Sequence, residues 1–363
     1  MKKFSIKIYS KSFVLKDTIN PDTVKSDISF TKQINWWLGE LQIVLDLPIT
    51  DTSYIQWDIV EVYASDNWNL IKIYTGVIQD KQKTATKFEQ TTLFVTGLQS
   101  LFTKVIYDES GKTGTITGDP KTLIDNTVDY FNTKYSGDIT KATNLYWTSV
   151  SYDIKYTKCN DLINTLNDLS NNFFRYLNAD RELIFKEKYT TALHKFTYKK
   201  NLFELEEMEE SNELVNTLYL EYNGWTAVYS NATSISTYWL REAYISNTSI
   251  TNLTSADEFW TKYLADNKDL KRKLRLKINT NYLFTFDTLV NDLIEEVNFY
   301  SPQTINDFSI LRNIETIEPW ETCEIKNLEI DYWILLIKKI TYNPDNVVLE
   351  LEDYDNFIKL IKT

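Results

Sequence analysis

Residues 57–78 read WDIVEVYASDNWNLIKIYTGVI and contain two stretches, 58–64 and 68–78, in which apolar and polar side chains alternate. A period of two is typical of a β-strand that buries one of its faces. Asp66 and Asn67 stand between the stretches, and these residue types favour turns. The segment therefore predicts two consecutive strands, and no helical periodicity interrupts it.

The same alternation covers the first hundred residues. Phe4, Ile6 and Ile8 alternate with Ser5 and Lys7, as expected for a half-buried strand. Three further strand-like stretches lie at 28–37, 41–47 and 88–96. Five or more consecutive short strands favour a β-sandwich or barrel.

The middle of the chain has helical spacing. Asp119 is a candidate N-cap before Pro120, and the apolar face that follows contains Ile124, Val128, Phe131 and Tyr135. A second helix is predicted after Asn160 or Asp161, with the apolar residues Leu162, Leu166, Leu169 and Phe173. Residues 174–188 then predict a hairpin that turns at Asn178 to Asp180.

The last part of the chain returns to strand-like patterns. Residues 204–213 hold six Glu and predict a mobile, solvated segment. A strand at 214–222 precedes a long hairpin or loop at 224–254, and Ser255 to Glu258 form a capping box that opens a helix through about Lys268. The remaining predicted elements are strands at 274–278, 309–317, 323–328, 332–342 and 346–352, and a short helix at 287–298 capped by Asp287.

The composition is that of a globular, aromatic-rich and acidic protein. The 363 residues include 24 Tyr, 18 Phe and 10 Trp, and the formal net charge is −12. A chain of this length can form two or three domains with their own cores. The acidic balance argues against a nucleic-acid-binding protein, which normally has a basic face. It is compatible with an acidic wall past which DNA slides without binding.

The residues that carry much of enzyme chemistry are nearly absent. Cys159 and Cys323 are the only cysteines, and we expect two buried thiols without a metal-ligand spacing. His194 is the only histidine, so a nucleophile–histidine or multi-histidine metal site would have to include it. The sequence predicts no catalytic, cofactor-binding or metal-binding residue, and no cofactor.

Four motif-like features also have structural interpretations. Gly111, Lys112 and Thr113 resemble the end of a phosphate-binding loop, but Ile106 occupies the position of its first glycine, which excludes the motif.

Candidate carboxylate pairs for glycoside hydrolysis are found among Asp58, Glu61, Asp287, Asp292, Glu295 and Glu296, but sequence cannot show their separation. The ten Trp are scattered and more typical of cores or interfaces than of a sugar site. The basic residues Lys268, Lys271, Arg272, Lys273, Arg275 and Lys277 predict a solvated face or a contact with the 204–213 segment of a neighbouring subunit.

Targeting and membrane segments are not predicted. The N-terminal residues MKKFSIKIYSKSF lack the apolar core of a signal peptide. The longest apolar run, Trp333 to Ile337, is far shorter than a membrane span.

Four blocks in order together resemble the phage tail hub proteins, also called baseplate hub or tail-associated proteins. Residues 35–78 resemble the family's first strands, with Trp57 in place of the usual Gly before Asp58. Residues 159–188 resemble its inserted α/β domain. The third block spans 213–268, in which Tyr238, Arg241 and Glu242 match the pattern Ser-Ile-x-x-Tyr-Gly-x-Arg-Glu and Trp239 replaces its Gly. Residues 319–352 resemble the closing strands.

The resemblance implies an α+β, mainly β fold with two tube-like β-barrels and an α/β insert. The implied domains are residues 1–105 plus 196–224 as the first barrel, 106–195 as the insert, and 225–363 as the second barrel with a helix near 256–268. The implied protein is a structural, non-enzymatic component of the virion tail tip, made in the host cytoplasm. Because the chain ends about ten residues after the last predicted strand, we expect no appended peptidase domain.

The implied assembly is a homotrimer whose six barrels imitate a hexameric tail-tube ring. It would join a tail tube or distal tail protein to tip, spike or fibre proteins. Its channel would admit the tape-measure protein and DNA, without specific DNA binding and without a membrane span. The alternatives are a glycan-binding receptor module, another β-rich tail component, or a hydrolase.

Overall fold

The structure is a computed structural model. It describes most of the chain, and the residues that it does not describe form several short ranges and one long range, 288–310. The ranges outside the description are 1–3, 20–27, 35–37, 49, 51–52, 67–68, 86–88, 109–112, 136–137, 142–144, 147, 171–172, 188–192, 198–201, 203, 212, 280–283, 288–310, 314–316, 320, 327–329, 344–345, 354–359 and 362–363.

The secondary structure of the described residues is mainly β with a smaller helical part. The strands are β1 (Phe4–Tyr9), β2 (Leu15–Ile19), β3 (Phe30–Gln33), β4 (Leu41–Leu45), β5 (Ile59–Asp66), β6 (Asn69–Ala85), β7 (Glu89–Gly97), β8 (Thr113–Gly118), β9 (Thr140–Lys141), β10 (Val150–Lys155), β11 (Phe173–Leu177), β12 (Glu182–Glu187), β13 (His194–Thr197), β14 (Glu204–Glu210), β15 (Thr217–Tyr222), β16 (Trp225–Ser230), β17 (Glu242–Ser246), β18 (Lys271–Asn279), β19 (Phe284–Asp287), β20 (Leu311–Asn313), β21 (Thr322–Lys326), β22 (Ile330–Tyr342), β23 (Asn346–Asp353) and β24 (Leu360–Ile361). The helices are a 3-10 helix (Leu98–Lys104), α1 (Pro120–Tyr135), α2 (Cys159–Asp168), α3 (Ala232–Tyr238) and α4 (Leu253–Asn267). The predicted α+β, mainly β class is confirmed.

The first sheet has the strand order β2-β1-β5-β6-β7-β4 and antiparallel pairing throughout. In β1, Phe4, Ile6 and Ile8 are buried and their neighbours are not, as the alternation predicted. The two strands of the quoted segment pair over the whole of β5 and over Asn69–Val77 of β6, with one irregularity after Val62. The local pattern of the sequence therefore decides this sheet.

The second large sheet has ten strands and combines distant parts of the chain. Its main order is β14-β18-β23-β22-β21-β13-β19-β20, and β3 and β24 also pair with β22. The pairing of Phe30 with Tyr342 joins the N-terminal part of the sequence to its C-terminal part. Their rings stack with centroids 4.9 Å apart.

Of the smaller sheets, one has three strands in the order β11-β12-β9 and one has two, β10-β8; the order β16-β15-β17 forms what we call the three-stranded sheet. Asn223 and Gly224 both have positive φ, 45° and 77°, in the turn between β15 and β16. An Asn-Gly turn of this kind matches the right-handed twist of the flanking strands.

Two hydrophobic cores hold these elements together. The first lies between the two large sheets and includes Ile43, Val62, Leu276 and Ile337. The second packs α1, α2 and α4 against β15, and its buried residues include Phe131, Leu162, Leu220 and Leu264. Ile59 and Val77 belong to the second core, so the first sheet contributes side chains to both.

Most predicted elements are found, and four expectations were wrong in detail. The 204–213 segment, expected to be mobile, forms strand β14 over Glu204–Glu210. Phe173, expected on the second helix, begins β11 instead. The 224–254 segment contains helix α3 in addition to strands. The helix predicted to open at Ser255 begins at Leu253.

The fourth difference has a clear physical cause. Asn252 is the N-cap of α4 and accepts the Ser255 amide at 2.8 Å. The Ser255 hydroxyl accepts the Ser151 amide at 2.9 Å instead, which fixes α4 to β10. The helix predicted at 287–298 falls on residues outside the description, apart from Asp287, which ends β19.

Neither large sheet closes into a barrel among the described strands, since β2 and β4 are the edges of the first and β14 and β20 lie at the ends of the second. The domain boundaries stay a prediction, and the one at 224–225 lies in the turn between β15 and β16. Within the part of the chain described, no helix has the length and apolar character needed to cross a membrane.

Candidate functional site

The candidate carboxylates Asp58 and Glu61 are buried and satisfied within the fold. Asp58 accepts the Lys16 ammonium at 2.7 Å and the Ile55 amide at 2.9 Å. Glu61 accepts the Tyr63 hydroxyl at 2.5 Å, and Lys72 lies 3.1 Å from its other oxygen. Both carboxylates therefore stabilise the first sheet, and each is bound by donors from within the fold. Asp292, Glu295 and Glu296 lie outside the described residues.

Replacing Glu61 with glutamine is expected to lower stability at neutral pH and to have little effect in acid. Burial by itself would raise the pKa of Glu61, but hydrogen bonds from Tyr63 and Lys72 outweigh burial and lower it. A carboxyl with a lowered folded pKa contributes stability above its unfolded pKa, and this contribution is lost as pH falls through the folded value. Glu61→Gln should cost about 1–2 kcal/mol at neutral pH.

Thermal melts at neutral pH and in acid below the lowered folded pKa of Glu61 test this, because the carboxyl is protonated there in both the folded and the unfolded state. The matched control is Glu187→Gln on an exposed position of β12, which should behave like wild type at both values. A difference for Glu61→Gln that is the same at both pH values would contradict the prediction.

His194 lies in a buried polar network. Its Nε2 is 2.6 Å from Glu321 Oε2, which also accepts the Glu318 amide at 3.1 Å. The Lys32 ammonium donates to Glu318 Oε1 at 3.1 Å. His194 is fully buried, and the network links β3 and β13 to the turn before β21. These contacts give the histidine a structural role in the second large sheet.

Both cysteines are buried thiols outside any disulfide, as predicted. Burial raises the pKa of the Cys159 thiol to about 12, so it stays protonated and unreactive at neutral pH. Among the residues that the structure describes, no group of three His, Cys, Asp or Glu side chains is placed to hold a metal ion. Gly111 and Lys112 of the rejected phosphate loop are not among those residues.

The acidic and basic segments pair within one chain, which corrects the expected contact between subunits. β14 and β18 are antiparallel neighbours, and Glu204 and Glu206 face Lys277 and Arg275. The two ion pairs measure 3.5 Å and 3.3 Å and are exposed. Opposite charges across neighbouring strands favour this register. The sequence showed the complementary charges but not that the two strands belong to the same sheet.

Trp57 and Trp239 stand where the hub resemblance implies glycine, and both have left-handed backbone. Their φ angles are 74° and 66°. Glycine reaches this region without strain, whereas a large side chain costs about 1–2 kcal/mol there. The Trp57 amide donates to the Ile78 carbonyl at 2.8 Å, and the Trp239 carbonyl accepts Asn216 Nδ2 at 2.6 Å. The turns implied by the glycines are kept although tryptophan occupies them.

Replacing Trp239 with glycine is expected to raise the free energy of unfolding by about 0.5–1 kcal/mol. The change removes the left-handed strain, and the greater freedom of glycine in the unfolded chain offsets part of this gain. The Trp239 side chain is 81% exposed, so little packing is lost. Chemical denaturation measures the change.

The matched control is Leu240→Gly at the neighbouring exposed position, which is not among the residues with positive φ. Glycine there relieves no left-handed strain, so stability should fall by up to about 1 kcal/mol. Equal losses at both positions would show that the Trp239 backbone carries no strain.

The outer face of the three-stranded sheet exposes aromatic side chains. Val228, Tyr219 and Tyr244 lie in one row across the strands, according to the strand register. Tyr219 donates to Glu242 at 2.7 Å, and Tyr244 donates to Glu221. Trp225 at the end of the hairpin is 72% exposed. By the alternation of side chains along β16, Trp225 follows the opposite face, so we call Tyr219, Val228 and Tyr244 the aromatic face.

A groove of about 740 Å³ lies where four separate segments meet. They are the turn between β1 and β2, residues 55–59, the 3-10 helix and the end of α1, and Val77 of β6 lies beneath them. The sequence pattern singled out Trp57 and Asp58 here but not Phe13, Lys11 or Lys134. No single segment has a motif, and only the fold brings the four together.

Several solved structures have a fold similar to that of this chain. The tail protein from Neisseria meningitidis MC58 is similar at a TM-score of 0.62 and 10% identity, covering 97% of this chain and 96% of that one. The 43 kDa tail protein of prophage MuSo2 from Shewanella oneidensis gives 0.60 and 10%, with the same coverage. The prophage tail protein gp18 from Listeria monocytogenes EGD-e gives 0.55 and 12%, covering 95% and 94%.

No protein-family model and no curated protein sequence matches the chain. Identities of 10–12% carry information about fold alone, and here the likeness extends over nearly the whole of each chain. The hub resemblance predicted from the four sequence blocks is thus confirmed at the level of the fold: the chain has the fold of phage tail proteins.

Proposed function

We propose that the chain is a structural virion protein of a phage tail tip. Three copies would form a hub ring that adapts the six-fold tail tube to a three-fold tip and encloses the DNA channel. One face of the ring would bind a tail tube or distal tail protein, and the other would bind tip, spike or fibre proteins.

The observation that carries this proposal is the end-to-end likeness to tail proteins. Similarity over 97% of this chain and 96% of the other means that both large sheets and the helical part are shared, not one common module. The two tube-like barrels expected in a hub would correspond to the two large sheets, completed by residues beyond the described strands or by neighbouring copies.

The charge of the chain supports a channel role. A net charge of −12 gives a mainly repulsive field for nucleic acid phosphates. A channel lined by such subunits would let DNA and the tape-measure protein pass without retaining them. The buried, satisfied state of Asp58, Glu61 and His194 supports a scaffold and not a catalyst.

The experiment is sedimentation velocity of the purified chain over a wide concentration range, with electron microscopy of the same samples. The proposal predicts a trimer and a three-fold ring with a central hole. A monomer at every concentration, with no ring in the images, would contradict it.

A second candidate function is glycan binding, and the aromatic face favours it. Exposed Tyr rings can stack on sugar rings, and Glu221 and Glu242 beside Tyr244 and Tyr219 supply hydrogen-bond acceptors. A glycan array on the intact chain tests this. Binding should be lost in Tyr244→Ala and kept in Leu145→Ala, which removes an exposed apolar side chain from another part of the fold. An array without hits would eliminate this candidate.

A further inference from the structure

We infer that the groove between the β1–β2 turn and the end of α1 binds the acidic edge strand β14 of a second copy of this chain, with Met208 as the apolar anchor. This inference rests on the proposed trimer, because it names one contact that would hold neighbouring copies together. The apolar groove, the strained backbone beside it and the charges on its rim each support this inference.

The groove has an apolar floor and aromatic walls. Ile59, Val77 and Leu98 are buried beneath it. Trp57 is 43% exposed and Tyr135 is 42% exposed along its sides. Apolar surface left open to water in a concave site is typical of a place where another side chain binds.

Backbone strain is concentrated beside the groove. Phe13 and Trp57 line it with φ angles of 57° and 74°. Arg181, with a φ of 67°, places its guanidinium carbon 4.1 Å from the centre of the Phe13 ring. A left-handed backbone is strained in residues other than glycine, and such strain gathers at functional sites. The two aromatic walls are therefore held in place at an energetic cost.

The rim of the groove is basic. Lys11, Lys16 and Lys134 line it, and Asp58 is the acidic residue among them. Lys16 is bound by Asp58 at 2.7 Å, while Lys11 and Lys134 are exposed. An occupant that suits this rim carries carboxylates on either side of an apolar side chain.

Strand β14 has that composition. Met208 is 63% exposed, and among the exposed large apolar side chains that the structure describes it is the one with Glu on both sides in the sequence. The strand register puts Met208 on the same face as Glu204 and Glu206, opposite to Leu205. Among the described strands, β14 lies at the end of the sheet order and pairs on one side, with β18. Charged side chains on an edge strand oppose aggregation. An exposed methionine does not have this effect, so Met208 is better explained as a contact residue.

Cross-linking between two variants that each carry one added cysteine tests the contact. Ser12→Cys places a thiol at the groove, and Met208→Cys places one on β14. Cys159 and Cys323 are buried and do not compete. The two variants are mixed, treated with a short bis-maleimide and separated on a denaturing gel. We expect a cross-linked pair, and none when Lys155→Cys, on the exposed edge of β10, replaces Ser12→Cys.

Sedimentation of the same samples separates the two proposals. A trimer that gives no cross-link above the Lys155→Cys control would overturn the contact and leave the hub proposal standing. If the chain sediments as a monomer, the hub proposal fails. The groove is then open, and the contact is decided by binding of a labelled peptide of residues 204–211.

The peptide should bind the wild-type chain and lose at least about tenfold in affinity for Lys11→Glu combined with Lys134→Glu, because two attractive charges become repulsive. Lys155→Glu is the control for net charge and should leave affinity unchanged. A peptide in which serine replaces Met208 should also bind more weakly. Equal affinity for all variants, or no binding to the monomer, would overturn the contact.

Discussion

Replacing Glu318 with alanine is expected to lower the free energy of unfolding by about 3–5 kcal/mol. Lys32 is only 1% exposed and lies 3.1 Å from Glu318 Oε1. Burial raises the pKa of the Glu318 carboxyl although Lys32 acts in the opposite direction. Removing the carboxylate leaves the ammonium in the core without its partner, which costs more than the pair itself contributes.

Two further variants show whether the loss of stability comes from the Lys32 charge that Glu318→Ala leaves in the core. The double change Lys32→Met with Glu318→Leu replaces both ions with apolar groups and should recover most of the loss. Glu350→Ala removes the partner of Lys339 in an ion pair of 2.9 Å whose members are 30% and 47% exposed. Such a pair contributes less than about 1 kcal/mol. Urea denaturation of the four proteins measures the differences, and equal losses for Glu318→Ala and Glu350→Ala would contradict burial as the cause.

Local patterns predicted much of the fold because they act over a few residues. The alternation in 57–78 was sufficient for β5 and β6, since burial of one face needs no knowledge of the partner strand. Asp119 caps α1 by accepting the Thr122 amide at 2.9 Å, as its position before Pro120 predicted. The pairing of β3 with β22 could not be predicted, because it joins residues about 300 positions apart and depends on the whole topology.

The acidic segment shows why composition alone misleads. Six Glu in ten residues favour solvation, and the prediction of a mobile segment followed from that rule. In the fold, Leu205 packs against the first core and the basic strand β18 supplies the opposite charges. The groove was missed for a related reason, since its walls come from segments as distant as Phe13 and Tyr135. The substitution of Trp for Gly at 57 was the one indication of it in the sequence.

Phe131→Ala is expected to lower the free energy of unfolding by about 3–5 kcal/mol. Phe131 is fully buried in the second core, and its ring centre is 4.2 Å from that of Phe102 in the 3-10 helix. Deleting the ring removes apolar burial and leaves a cavity between α1 and the 3-10 helix that the surrounding residues cannot fill. Because the second core also includes α2 and α4, the loss should appear as one cooperative shift of the denaturation curve.

Tyr135→Ala is the matched control on the same helical face. The spacing in the sequence grouped Tyr135 with Ile124, Val128 and Phe131, but its side chain is 42% exposed and only stacks on Phe131, at 5.4 Å. Its removal should cost less than about 1 kcal/mol, since no enclosed cavity forms at the end of the helix. Urea denaturation measures both variants. Comparable losses in the free energy of unfolding would mean that Tyr135, at the end of α1, is buried as Phe131 is. The groove that Tyr135 borders would then be closed in solution, which would also remove the binding site inferred for Met208.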